Sequence, residues 1–403
     1  MTPVRKMYQA SMPGPVLFLV AAGFLAGACG TPDSVEERAE PVTGLETVSE
    51  VKGGGNESGP YEVVPNWPQP IHDDWTWGRT PAVWAESPDK VFVLQSAELP
   101  ALPEVPGVTQ RGGVPARSAV GPPGERFEHL LMIVDADGKL IDSWEQHNEL
   151  FSHSHRIAVD PRDSDRNVWV ADNSNHQVFK FTNDGAELLV TIGEANVRAP
   201  NCSTPRPSDL LPEEVARCET HFSSPTDIAF LHNGDVLITD SGNVRIVRFT
   251  KDGQYVSEFG GKRGDGPGEI GGNMHGIAVD ATERIYVADR GNSRIQVFDV
   301  DGTVVDVWPN IRFPCFVGIS EDQHVWVTDA LTNKILKYDL EGRLLYSWGT
   351  FGGEPGQFWG PHHLSTDSEG NLYVTEVWGG RAQKFRPKPG ADPDTLVGQL
   401  FWR

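Results

Sequence analysis

Positive charge is scarce in this sequence: 34 lysines and arginines stand against 56 acidic residues, a formal net charge of −22. A surface this acidic repels a phosphate backbone, so nucleic acid is excluded as a partner. Long apolar runs are scarce too. Val16 to Ala26, preceded by Arg5 and Lys6, is too brief for a comfortable membrane span and has the form of an export signal over residues 1–28. The stretch Leu25-Ala26-Gly27-Ala28-Cys29 is a lipobox shifted by one residue, while Ala26-Gly27-Ala28 also suits plain secretory cleavage. Lipidation at Cys29 is the reading taken, which places an exported protein in the cell envelope, on the periplasmic or the outer surface face, with the lipid as its only link to a membrane.

Cysteine is limited to four positions. In an oxidising compartment Cys202 and Cys218, which share one Pro-rich insertion, are expected to close a loop of about 15 residues as a disulfide worth roughly 3 kcal/mol. Cys315 lies in the apolar run Arg312-Phe313-Pro314-Cys315-Phe316-Val317 and reads as a buried free thiol. Residues 29–60 turn to Glu, Thr, Ser and Gly without apolar periodicity, the composition of a disordered linker. The rest, 61–403, exceeds the usual size of one domain, but a closed repeat ring reaches that length as a single unit.

Repeats are what the sequence does have. A strand phrase opened by histidine occurs as His155-Arg156-Ile157-Ala158-Val159-Asp160, His275-Gly276-Ile277-Ala278-Val279-Asp280 and His362-His363-Leu364-Ser365-Thr366-Asp367, and without the histidine at Thr226-Asp227-Ile228 and Val317-Gly318-Ile319. Each copy leads to a second strand ending in an acid, at 172, 240, 289, 329 and 376, then a third strand, an Asp-Gly type turn and a fourth. A degenerate copy begins at Ala82 and contains a Pro/Gly-rich insertion from about Pro100 to Arg126. Four strands per period of about 40 residues define a propeller blade, so the expected fold is an all-β, six-bladed β-propeller of four-stranded blades. Closure calls for an extra outer strand, supplied either by Tyr61-Glu62-Val63-Val64 or by residues 396–400.

The recurring acid and the Arg or Lys five residues after it in four of five copies read as what each blade needs for itself, a turn-capping carboxylate and a neighbouring cation. Trp169, Trp326, Trp348 and Trp359 read as packing between blades. The histidine column is different, because it occurs in three of five clear copies although histidine fills only 12 of 403 positions. First strands line the central channel of a propeller, so His155, His275 and His362 from blades two, four and six are expected to converge on the axis. Three imidazoles with a free fourth position form an open zinc site; the alternative is a set of polar caps lining a wet channel. His363, adjacent to one of the three, is expected to support them from behind. A small-molecule or peptide ligand is expected at this channel, and the protein is expected to be a monomer.

The phrases Phe151-Ser152-His153-Ser154-His155, His176-Gln177-Val178-Phe179-Lys180, His221-Phe222-Ser223-Ser224-Pro225-Thr226-Asp227 and Ala288-Asp289-Arg290-Gly291-Asn292-Ser293-Arg294 resemble the NHL-repeat propeller of peptidyl-α-hydroxyglycine α-amidating lyase, in its bacterial exported homologues. The resemblance runs from about residue 80 to 388. It implies zinc held by His155, His275 and His362, and cleavage of a carbinolamide to an amide and glyoxylate with help from a tyrosine and an arginine. This chain departs from the pattern where Ser96 takes the arginine's place and where Asp240-Ser241-Gly242-Asn243-Val244 lacks the tyrosine. Gly360 falls where the family has a methionine, and His363 where it has a calcium-linked aspartate, which leaves calcium open. Arg79 is a nearby source of a guanidinium. No catalytic residue is assigned from the sequence, and a non-catalytic propeller that binds a partner and uses its metal structurally is the alternative to a lyase.

Overall fold

The computed structural model describes residues 57–72, 75–100 and 126–400; the expected export signal, Cys29 and nearly all of the expected linker lie outside the described residues. Six antiparallel four-stranded sheets follow one another along the chain. Their first strands are Ala82–Ser87, Ser154–Val159, Pro225–Phe230, Ile277–Val279, Pro314–Ile319 and Pro361–Thr366, which number blades 1 to 6. The fold is a six-bladed β-propeller.

Burial follows the position of a strand within its blade. The second strands of blades 2 to 6, such as Val168–Asp172, are buried at every residue because neighbouring blades cover both faces, whereas the fourth strand Leu188–Ile192 is mostly exposed. The apolar clusters therefore lie between blades. Phe92 and Ile133 of blade 1 meet Ile157 and Phe179 of blade 2, and Tyr286 and Val297 of blade 4 meet Val317 and Leu336 of blade 5. Trp169, Trp326 and Trp348 belong to such clusters. Three second-strand rings also face a lysine directly across the ladder: Lys180 lies over Trp169 at 5.4 Å, Lys337 over Trp326 at 5.4 Å and Lys384 over Tyr373 at 5.6 Å. Each ammonium then donates to a backbone carbonyl, of Lys251, Asp394 and Ala136 respectively, so one side chain satisfies its charge and covers a ring. Trp359 does not follow this rule. It is half-buried and packs edge-on against the exposed Phe351.

The strand from the N-terminal side closes the ring. Tyr61–Val63 pairs with Arg381–Pro387 as the outer strand of blade 6, in the register Tyr61 to Pro387, and a closed ring leaves no open inner edge. The 396–400 segment has another task. Its Val397 N–H donates to the Tyr61 hydroxyl at 2.7 Å and Leu400 bridges Ser320 of blade 5, so it clasps blades 5 and 6. The ordered ring also begins slightly before Tyr61, inside the stretch expected to be linker. Lys388 N–H donates to the Pro60 carbonyl at 3.0 Å, and Gly59, at φ +57°, lies so close to the Trp348 ring that a Cβ would be 2.6 Å from it.

Between blades 2 and 3 the Cys202–Cys218 disulfide ties an extended segment to the helix Pro212–Thr220. Pro212 suits the first turn, and Glu214 accepts from the Leu211 N–H at 2.9 Å. Among the described residues no helix is long and apolar enough to cross a membrane.

Candidate metal centre

Where the first strands begin, the ladders are irregular: register shifts fall between Ser154 and Arg156, between Pro225 and Ile228, between Pro314 and Val317 and between Pro361 and His363. A bulge interrupts the strict alternation of side chains, so two consecutive residues can face the axis. His155 and Arg156 both do, in separate layers. Gly276 serves the same crowded region by having no side chain, since a Cβ there would lie 2.8 Å from the Cys315 carbonyl oxygen.

In the first layer His155, His275 and His362 converge with ring centroids 4.6, 4.7 and 4.9 Å apart, all three buried. One nitrogen from each lies within 4.8 Å of the other two. The three rings are oriented in the same manner. His155 Nδ1 donates to the Thr226 carbonyl at 2.7 Å, His275 Nδ1 to the Cys315 carbonyl at 2.6 Å and His362 Nδ1 to the Pro81 carbonyl at 2.6 Å. A carbonyl only accepts, so each Nδ1 carries the proton and each neutral ring keeps its lone pair on Nε2. The acceptors all belong to blades 1, 3 and 5, so the odd blades support by backbone what the even blades contribute by side chain. The role expected of His363 therefore falls to three backbone carbonyls.

His363 lies in the second layer, its Nε2 against the Arg156 guanidinium and its ring 4.5 Å from that of Phe316. Arg156 also pairs with Asp227, whose carboxylate accepts from the Ile228 N–H at 2.7 Å and the Ile277 N–H at 3.1 Å. This buried guanidinium, carboxylate and imidazole lie directly beside the triad.

The first layer fits a bound cation. His275 Nε2 and His362 Nε2 are 3.1 Å apart, and two facing lone pairs at that distance repel unless a proton or a metal lies between them. A proton is disfavoured. Burial first, then the charge of Arg290 among others, holds His275 well below the ordinary imidazole value, and burial chiefly holds His362 down to about 3. His155 is held low by burial and by His362 and His153. Three neutral imidazoles, each protonated at Nδ1 alone and oriented from behind, form a donor set suited to zinc.

The triad's other neighbours are cations, in a chain whose net charge is strongly negative. Arg290 and Arg79 both depress His362, and Arg79 is itself lowered by burial and then by Arg290. Arg290 lies over the Phe313 ring at 4.4 Å, with Nη2 donating to Asn273 at 2.5 Å and Nη1 3.5 Å from the Cys315 sulfur. Among the described residues, the Nε of Arg79 and the Nε of Arg290 are buried without a hydrogen-bond partner. His153 completes the surroundings: its ring is 6.2 Å from that of His155 and its Nδ1 is 3.2 Å from the Ser96 hydroxyl. Ser96, which takes the place of the resembled family's arginine, is tied by its N–H to the Arg79 carbonyl at 2.8 Å, so Arg79 carries a guanidinium back to that neighbourhood. Arg290 escaped the sequence reading although a signal was present. The residue after the repeated acid is Asn173, Ser241, Ala330 and Val377 elsewhere, and only here a cation.

The repeated acids bond within their own blades. Asp172 accepts from the Ser152 and His153 N–H groups at 2.7 and 3.0 Å, and Asp240, Asp289 and Glu376 each take Nε of the arginine five residues on at 2.8 to 2.9 Å. Lys334 is the exception, because it donates to the Gly349 carbonyl while Asp329 accepts from the Arg312 and Phe313 N–H groups. In blade 1, Gln95 stands in for the acid, donating to the His129 carbonyl at 2.8 Å.

Comparison with known proteins bears on the repeats and the fold. The profile of the NHL repeat family matches residues 222–249 and 274–298, and the chain is a six-bladed propeller carrying NHL repeats. It is homologous, at modest identity, to peptidyl-alpha-hydroxyglycine alpha-amidating lyase 1 of Drosophila melanogaster: 26% over 298 residues, covering 67% of this chain and 51% of that protein. Human NHL repeat-containing protein 3 is 26% identical over 200 residues, covering 47% of this chain and 51% of that protein. The chain thus spans about half the length of these relatives. A crystal structure of a protein of unknown function from Bacteroides thetaiotaomicron, 14% identical, superposes with a TM-score of 0.52 over 83% of this chain and 74% of that one, a likeness of fold alone.

Proposed function

We propose that this propeller is a zinc-dependent lyase that cleaves peptidyl-α-hydroxyglycine, or a closely related carbinolamide ending in a carboxylate, to a peptide amide and glyoxylate. One observation carries the reading: three deprotonated imidazole nitrogens converge beside two guanidinium groups, Arg79 and Arg290, each with a buried Nε that lacks a partner among the described residues. A metal flanked by two cations in an otherwise acidic protein selects an anionic ligand, and a planar carboxylate matches the guanidinium fork. The activity named for the Drosophila relative acts on a substrate of that kind.

The reaction breaks the bond between the amide nitrogen and the hydroxyl-bearing carbon. The hydroxyl proton leaves, the oxygen becomes the aldehyde of glyoxylate, and the nitrogen takes up a proton, with no net oxidation. His155, His275 and His362 would hold zinc, which would supply Lewis acidity toward the substrate hydroxyl. Arg79 and Arg290 hold the substrate carboxylate and orient the hydroxyl toward the triad. His153, with the Ser96 hydroxyl on its Nδ1, is the group positioned to accept the hydroxyl proton and return it to nitrogen, in place of the tyrosine this chain lacks.

Calcium is no part of the proposal. Around His363 the second layer offers one carboxylate, Asp227, already paired with Arg156, and a hard cation needs about six to eight oxygens. A second reading, a binding propeller with a structural metal, is favoured by the loop after Asp240, where Asn243 is committed to Asp240 and to the Cys202 N–H and offers nothing to the axis.

The test is glyoxylate release from a hydroxyglycine-ended peptide by the purified full chain. On the lyase reading, a chelator abolishes release, Arg79→Met and Arg290→Met each raise KM by about 10- to 100-fold, the loss of a charge-assisted hydrogen bond, and His153→Gln lowers kcat with KM held. Zinc retained with no glyoxylate at any pH would leave only the binding reading.

A further inference from the structure

Blade 1 gathers a second set of metal-type donors away from the axial triad. Glu98, two residues past Ser96, is a carboxylate only 2% exposed. Its Oε2 takes the Arg126 guanidinium at 2.6 Å, and its Oε1 takes His129 Nδ1 at 2.7 Å. The His72 ring lies 5.5 Å from the His129 ring, and the His72 Nε2 atom is buried without a hydrogen-bond partner among the described residues. Glu128, exposed, reaches Arg126 at 3.7 Å, and His129 Nε2 is 3.4 Å from Glu145. One donor atom from each of His72, Glu98, Glu128 and His129 lies within 4.8 Å of every other.

We propose that His72, Glu98, Glu128 and His129 form a second divalent-metal site, closed by four protein donors and structural in role. Three features argue for it. Two imidazoles and two carboxylates are a borderline donor set that suits tetrahedral zinc and is poor for calcium or magnesium, which prefer oxygen alone. Arg126 offsets one of the two carboxylate charges, so the pocket retains net negative charge for a divalent ion, unlike the triad with its cationic surroundings. The His72 nitrogen, orphaned among the described residues, points to a ligand beyond them.

The location gives the site its task. His72 precedes the short strand Trp75–Trp77, and Glu128 and His129 precede the third strand of blade 1, Leu131–Val134. A metal here ties together three segments, at His72, at Glu98 and at Glu128 and His129, in the blade with the most irregular repeat. With all four positions taken by protein, no place is left for a substrate, so the site does not depend on the lyase reading.

The experiment is zinc analysis of the full chain after dialysis, on wild type, His155→Ala/His275→Ala, His72→Ala/His129→Ala and Glu128→Gln. Wild type is expected to hold about two equivalents and each double variant about one, since each removes a separate site. The axial variant loaded with cobalt(II) is expected to show tetrahedral absorption bands that Glu128→Gln weakens, while the metal-free melting temperature of Glu128→Gln matches that of wild type, because Glu128 is exposed. The proposal is overturned if His72→Ala/His129→Ala keeps the full zinc content of wild type. Failure of the axial triad to bind zinc would appear instead in the His155→Ala/His275→Ala protein, so the two results are separable.

Discussion

The axial histidines and the peripheral acids are both read from the same repeat, yet they behave in opposite ways. The acids occur in five of the six blades and turn inward on their own blade, where Asp240 and Arg245, both 1% exposed or less, close a local pair. The histidines occur in alternate blades and reach outside their own blade for everything that matters, the partner imidazoles on one side and a neighbouring blade's carbonyl on the other. A residue type repeated in almost every unit serves the unit, and one repeated in a subset serves the assembly.

The widest separation between the two groups is expected from His155→Ala/His275→Ala. This variant should lose the axial zinc completely and with it any glyoxylate release, while circular dichroism still reports a folded propeller. Arg245→Met should do the reverse. It leaves Asp240 buried without its cation and releases the Cys218 and His221 carbonyls that Arg245 also holds, at a cost of about 3 to 5 kcal/mol by denaturant titration, with zinc content unchanged. Loss of zinc from Arg245→Met would show that the peripheral pairs support the axis and would end the comparison.

Acid distinguishes the groups by titration. The axial imidazoles have folded pKa values below the ordinary 6.5, so the metal-free unfolded chain binds protons that the folded chain refuses. Their contribution to stability is present above about pH 6.5 and is lost as pH falls through the folded values, to about 3 for His362. The expected result is a decline in both zinc occupancy and melting temperature on acidification below that point, with the decline in melting temperature reduced in His155→Ala/His275→Ala. The smallest effect is expected within the peripheral set. Lys334→Met removes a cation that bonds a carbonyl and not Asp329, and should cost only about 1 kcal/mol, a fraction of the Arg245 effect.

Periodicity alone was enough to read the blades, because a strand buried between two neighbours must be apolar along its length and each turn must be punctuated by Asp and Gly. It was also enough to align His155, His275 and His362, since equivalent positions in a closed ring meet at its axis. Tertiary structure decided what a repeat cannot encode. Which end of the chain closes blade 6 depends on whether Tyr61–Val63 or the 396–400 segment reaches Arg381–Pro387, and both are apolar enough to try. The partners behind the histidines are backbone carbonyls of Pro81, Thr226 and Cys315, and a carbonyl is present at every residue, so composition carries no trace of its use. Arg79, Arg290 and His153 come from three different blades' surroundings and share no sequence spacing. Only the folded ring brings their charges and lone pairs to one place, because proximity between blades is set by packing across the axis and not by distance along the chain.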